Sequence, residues 1–209
     1  VPLFPDRMQQ FAIPLLALAL LTVVFPALVA MTQTDLKRIL AYSSINHLGY
    51  CLLGIFAVAA FPLGATAAQA AATNGVILQM FNHGVTAAAL FGFVGFIERR
   101  SGGLRGLDDF GGLRSAAPVL AGLMGIAIFS SLGLPGLNGF VGEFLIFSGT
   151  FQLAWWAPTI AAIGLFHLDN IGAHIGQQHA GQRPGERLAH FDHGEPRQRQ
   201  IHLASSCWG

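Results

Sequence analysis

Polar residues are sparse from Phe11 to Leu165, and their positions cut the chain into apolar runs. A helix crossing about 30 Å of hydrocarbon needs about 20 residues at about 1.5 Å each. Four runs are long enough: Phe11–Met31, Ile39–Ala60, Asn74–Ile97 and Ala117–Phe151. Pro26 is expected to kink the first, which neighbouring helices can tolerate by re-satisfying the freed backbone groups. The fourth is too long for one straight span, and "SLGLPGLNGFVGEF" (Ser131–Phe144) interrupts it. There Pro135 removes a backbone donor, while Gly133, Gly136 and Gly139 permit a turn and close approach. A fifth apolar run opens near Trp155 and stops at Leu165, too soon to span. The pattern predicts an all-α integral membrane bundle of about four to five transmembrane helices, one of them broken.

The domain division follows. Residues 1–10 read as a loop, 11–165 as a membrane domain, and 166–209 as a polar tail. Lys and Arg concentrate in the loops near residues 32–38 and 98–115, whereas "FPLGATAAQAA" and "GTFQLAWWAP" carry no charge. The positive-inside rule places the basic loops in the cytoplasm, and Trp155 and Trp156 fit an aromatic belt on the opposite side.

Composition supports the bilayer as solvent. Hydrophobic residues make up 53% and charged residues 10%, against about a quarter charged in a typical soluble domain. A net charge of +1 with no basic patch argues against a nucleic-acid partner. Cys51 and Cys207 show no metal-ligand spacing and support no disulfide framework, so no metal is expected. No charged leader or cleavage site precedes a short apolar run, so no signal peptide is expected. The start at Val1 reads as a fragment boundary or an alternative start codon.

The tail breaks the pattern. Six of the eight histidines lie between Phe166 and Gly209, and no apolar period survives there. Three readings stand: a shifted reading frame in the source DNA, a disordered polar tail, or a His-rich metal-binding tract. The switch inside a helix favours the first.

Titratable side chains inside a bilayer cost about 2.5–3.5 kcal/mol on insertion scales, so they mark function by default. His47 in "AYSSINHLGY" lies about 12 Å into a helix starting near Ile39. Ser43 and Ser44, four and three residues earlier, share its face. His83 in "ILQMFNHGVTAAAL" is near mid-depth, with Gln79 and Thr86 on its face. Glu143 follows the glycine–proline break, and unwound backbone within a membrane persists only where it is buried or lines a watery cavity. A structural histidine bonding between helices, or a paired glutamate at a hinge, is the competing reading for each. Lys37 and Arg38 read mainly as anchors at a helix entrance, with Lys37 kept as a secondary candidate. Asp108 and Asp109 read as solvated, or facing a partner.

"TDLKRILAYSSINHLGY", "LQMFNHGVTAAALF" and "SLGLPGLNGFVGEF" together resemble the antiporter-type membrane subunits of NADH:quinone oxidoreductase, respiratory complex I. The resemblance runs over about residues 10–165 and is strongest to the subunit M (chain 4) type. It implies a C-terminal fragment: most of the second of two inverted five-helix repeats, each with one broken helix. It implies a proton path through His47, His83 and Glu143, with Ser43, Ser44, Gln79 and Lys37 as secondary candidates. Glutamate at position 143 points to subunit M, because the related subunits and sodium–proton antiporters usually carry lysine there. It implies no cofactor in this chain: NADH, FMN, iron–sulfur clusters and quinone would sit in partner subunits. The implied partners are other membrane subunits of the complex and the lipid of a bacterial plasma membrane, or an equivalent energy-transducing one. No cysteine cluster and no glycine-rich dinucleotide fingerprint contradicts that division. A subunit of a cation–proton antiporter or membrane-bound hydrogenase, a structural scaffold, and an inert truncated fragment are the alternatives.

Overall fold

The computed structural model describes residues 5–61, 66–110 and 113–164. The polar tail expected over 166–209, with Cys207, lies outside the described residues. Helix α1 spans Pro5–Met31, α2 Leu36–Ala60 and α3 Ala67–Arg100. A 3-10 turn, Leu107–Asp109, and a short α4, Leu113–Ala116, lead into α5, Pro118–Ser131. Then come a break, α6 over Asn138–Leu153, and a further helical segment over 156–164. Three helices, α1 from Arg7, α2 and α3, are long and apolar enough to cross a membrane. α5 and α6, at 14 and 16 residues, are the two halves of the broken helix.

Each long helix starts before its apolar run. Residues 5–10, read as loop, are helical from Pro5, where a proline has no donor to lose and a preset φ. Asp35 caps α2, accepting from the backbone N–H of Lys37 at 2.9 Å and of Arg38 at 3.3 Å. Thr66 and Gln69 cap α3 reciprocally. The charge-free stretch read as a loop before Asn74 therefore belongs in part to α3, because alanine-rich sequence is helical without being deeply apolar. Within α1, Pro26 cannot donate to the carbonyl four residues back. Asn46 Nδ2, from α2, donates to the neighbouring Val23 carbonyl at 2.5 Å and supports that stretch.

The buried face of α3 recurs every three or four residues: Ala68, Ala72, Gly75, Gln79, Asn82, Thr86, Leu90, Val94 and Ile97. It is small at one end, polar in the middle and apolar at the other. The small end lets α6 approach closely. A Cβ on Gly149 would sit 2.5 Å from the Ala72 nitrogen, and one on Gly75 2.7 Å from the Ile146 nitrogen. Such contacts are how helices associate where lipid is as apolar as leucine. Leu16, Val23, Tyr50, Leu53, Val76 and Ile146 fill the core between α1, α2, α3 and α6. Leu36, Val94, Ile97 and Met124 form a second cluster at the basic-loop end. Outward apolar side chains such as Phe81 and Val119 stay exposed, as in a chain whose solvent is lipid.

At the basic-loop end an ionic clamp joins α2 to α3. Lys37 pairs with Glu98, and Arg105 Nε lies 2.7 Å from Asp35 Oδ2 and its Nη1 3.5 Å from Glu98 Oε1. The Leu36 N–H donates to the Arg105 carbonyl at 3.0 Å, and the Leu107 N–H to Thr34 at 2.8 Å. The two basic loops thus lie on one side. His83 falls midway along α3, and His47 lies about 16 Å along α2 from Leu36.

Candidate proton-transfer site

The break carries the site's geometry. Gly133 and Gly136 adopt φ of 65° and 98°, left-handed values open to glycine at little cost. Side chains bolt both ends of the break to α3. Asn82 Nδ2 donates to the Asn138 carbonyl at 2.6 Å, and Thr86 Oγ1 lies 3.4 Å from Ser130 Oγ. Ser130 Oγ in turn donates to Asn138 Oδ1, tying the end of α5 to the start of α6. Gly139 passes so near the Ser130 carbonyl that no side chain fits there.

Glu143, one turn beyond, is thereby fixed against α2 and α3. It is 5% exposed, and His47 is 4% exposed. His47 Nδ1 lies 3.0 Å from Glu143 Oε1, and Gln79 Nε2 donates to the same oxygen at 3.0 Å. His47 Nε2 is 3.4 Å from Ser131 Oγ. The His83 ring lies 5.3 Å from the His47 ring, centroid to centroid. Three titratable groups from three helices therefore form a row, with Glu143 at the broken helix.

A small cavity adjoins the row. Leu40, Ser43, Ser44, His83, Ala87, Leu90, Phe91 and Ser131 line it, with room on the order of one water. Ser43 and Ser44 lie toward the start of α2, and Ala87 to Phe91 toward the end of α3, so the cavity sits on the basic-loop side of the two histidines. His83, Ser43, Ser44 and Ser131 are the polar residues among those that line it.

Two sequence expectations change. Gln79 and Thr86 do not serve His83: they belong to the buried stripe facing α5 and α6, and His83 stands one position round from it, against His47 and the cavity. Lys37 is not at the row but three turns away in the ionic clamp. Partly exposed pairs of that kind contribute little and are screened by salt. Lys37→Ala is expected to lower stability by less than about 1 kcal/mol, measured by thermal unfolding at low and high salt. Asp109 is engaged, accepting from the Gly106 N–H at 2.8 Å. Ser131, Ser130, Asn82 and Asn138 escaped notice in the sequence, although each is polar within an apolar run. Among the described residues no group of three or more His, Cys, Asp or Glu is placed to hold a metal ion.

Residues 1–167 match the family model described as NADH:quinone oxidoreductase/Mrp antiporter, TM. NADH-quinone oxidoreductase subunit M of Rickettsia conorii is 39% identical over 165 residues, 79% of this chain and 31% of that protein. In respiratory complex I from Thermus thermophilus with bound NADH, one chain superposes with a TM-score of 0.78 at 27% identity, covering 99% of this chain and 41% of that one. A chain of the Mrp complex from Dietzia sp. superposes at 0.73 with 22% identity, covering 84% of this chain and 31% of that one, which shows a shared fold. This chain thus spans 31% of the length of the first of these relatives. The match over residues 1–167 places the chain in the NADH:quinone oxidoreductase/Mrp antiporter transmembrane family.

Proposed function

We propose that the chain moves protons within the membrane domain of a NADH:quinone oxidoreductase, as part of a subunit of the M type in a bacterial plasma membrane or an equivalent one. The observation that carries this reading is the 3.0 Å contact between buried His47 and buried Glu143, extended by His83. A proton on His83 reaches His47 through cavity water and Ser131. His47 Nδ1 then hands a proton to Glu143 Oε1. The N–H bond breaks as the O–H bond forms, and a buried ion pair becomes a neutral pair. Histidine suits the relay because either ring nitrogen can hold a proton. The oxidoreductase chemistry in this reading belongs to partner subunits holding NADH, FMN, iron–sulfur clusters and quinone. The chain itself contributes no redox step.

The fold is shared with an Mrp complex, so fold alone does not choose between an oxidoreductase and a cation–proton antiporter. The subunit M relatives and glutamate at position 143 favour the former. The test is proton uptake driven by NADH in membrane vesicles holding the assembled complex. His83→Leu is expected to slow uptake through this chain roughly tenfold. That is less than the loss of about 10² to 10⁴ for a sole proton carrier, because cavity water can bridge to His47. Uptake per NADH equal to the parent's in His83→Leu and His47→Leu alike would sink the proposal.

A further inference from the structure

Gln79 is 2% exposed and sits in the middle of the α3 stripe. Its amide is held at one end only. Nε2 donates to Glu143 Oε1, while Oε1 of the amide is buried without a hydrogen-bond partner. Leaving a buried carbonyl unsatisfied is costly, and most such groups in folded proteins find a partner. The space beside this one is kept open by a glycine: a Cβ on Gly142 would stand 2.6 Å from the amide oxygen. The orientation of the Gln79 amide is therefore set by a single neighbour, the carboxyl group of Glu143.

That neighbour changes its demand when it takes a proton. An ionised carboxylate accepts only, so the amide must present its NH₂. A carboxylic acid has one O–H to donate, and a donor facing it is misplaced. Glu143 Oε1 is shared between His47 Nδ1 and Gln79 Nε2, each at 3.0 Å. Once the proton has crossed from Nδ1 to Oε1, the new O–H can point back to the neutral His47 and return, or turn toward Gln79. The second course needs an acceptor, and the unpartnered amide oxygen becomes one after a half-turn about the Cγ–Cδ bond. No covalent bond changes in that turn.

We propose that Gln79 is a two-state positioning residue whose amide orientation follows the proton on Glu143. With Glu143 ionised, the NH₂ holds the carboxylate in line with His47. With Glu143 protonated, the amide oxygen takes up the O–H and turns it away from His47, which suppresses back-transfer. This inference rests on the reading of Glu143 as a proton stop.

The experiment is redox-induced infrared difference spectroscopy on the assembled complex in membranes, with glutamine side-chain carbonyls isotopically labelled. The carboxylic band lost in Glu143→Gln reports the proton on Glu143. The isotope-shifted amide band lost in Gln79→Met reports Gln79, and Gln79→His makes the same assignment if the methionine variant does not assemble. The expected result is that the two bands appear together and that the amide band vanishes in Glu143→Gln. Proton uptake is expected to fall about tenfold in Gln79→Met and to recover to within about threefold in Gln79→His, whose two ring nitrogens can donate and accept. A purely packing role for Gln79 predicts no amide band. A Glu143 band with a silent amide overturns the Gln79 proposal and leaves the proton stop standing. No Glu143 band at all overturns the proton stop, and the Gln79 proposal with it.

Discussion

Glu143→Gln is expected to abolish proton transfer through this chain while leaving the protein as stable as the parent, or more so. The glutamine has nearly the same shape. With its carbonyl where Oε1 stands, it can still accept from Gln79 Nε2 and from an N–H at His47 Nδ1. What disappears is the ability to bind and release a proton, with the charge that opposes a protonated His47. Acid–base groups that carry a proton contribute about 10² to 10⁴ in rate, so transfer through this chain should fall by at least about 100-fold. Stability moves the other way because a buried ion pair bears a large desolvation cost, and a neutral replacement of similar volume is often neutral or stabilising. Glu143→Ala separates the two effects. It strips Gln79 Nε2 and His47 Nδ1 of their shared acceptor, at about 1–3 kcal/mol for a buried group left unpaired, and opens a cavity as well. NADH-driven proton uptake and thermal unfolding of the detergent-solubilised complex, measured on both variants, give the pattern. Uptake lost in both and stability lost only in the alanine variant is the expected outcome. Parallel losses of both quantities in the glutamine variant would mean that Glu143 is a structural hinge residue.

Much of the site was legible in the sequence because the bilayer makes polar residues costly. His47, His83 and Glu143 stand out in apolar runs, and the structure sets them side by side. The break was legible for the same reason: Pro135 and three glycines have no place in an uninterrupted span. What the sequence did not yield is which side of α3 faces which neighbour. Gln79, His83 and Thr86 are three or four residues apart and pass for one face. Packing against α6 chooses a stripe through Gln79, Asn82 and Thr86 and leaves His83 at its edge. That choice depends on Gly75 and Gly149, whose small size decides where α6 lies, and such long-range contact leaves no local signature. Ser130 and Asn138 are eight residues apart and meet only because the break folds back. The helix starts were missed for a different reason. Asp35 and Thr66 cap first turns, one basic and one alanine-rich, that precede the apolar runs, and hydropathy does not register a cap.

The break also does more than interrupt a helix. Glu143 shares Oε1 between His47 and Gln79, while its Oε2 lies against Gly133. A Cβ on Gly133 would come within 2.5 Å of that oxygen and 3.4 Å of Cδ. Gly133→Ala therefore introduces two faults. The residue must hold φ of 65°, which costs a non-glycine residue about 1–2 kcal/mol. The methyl group must also displace the carboxyl, the movable party, away from Oε1's contact with His47. A misplacement of about 1 Å at a reacting group can cost about 10²-fold in rate. Gly136→Ala provides the matched control. Its φ of 98° lies farther from the left-handed well and strains alanine at least as much, but nothing lies within 4 Å of the added Cβ. The expected result is a loss of thermal stability in both variants, at least as large in Gly136→Ala, with proton uptake through this chain down about 100-fold in Gly133→Ala and near the parent value in Gly136→Ala. Equal uptake in the two variants would mean that the glycine at 133 serves only the turn. A selective loss in the first means that the break is shaped to seat the Glu143 carboxyl against His47.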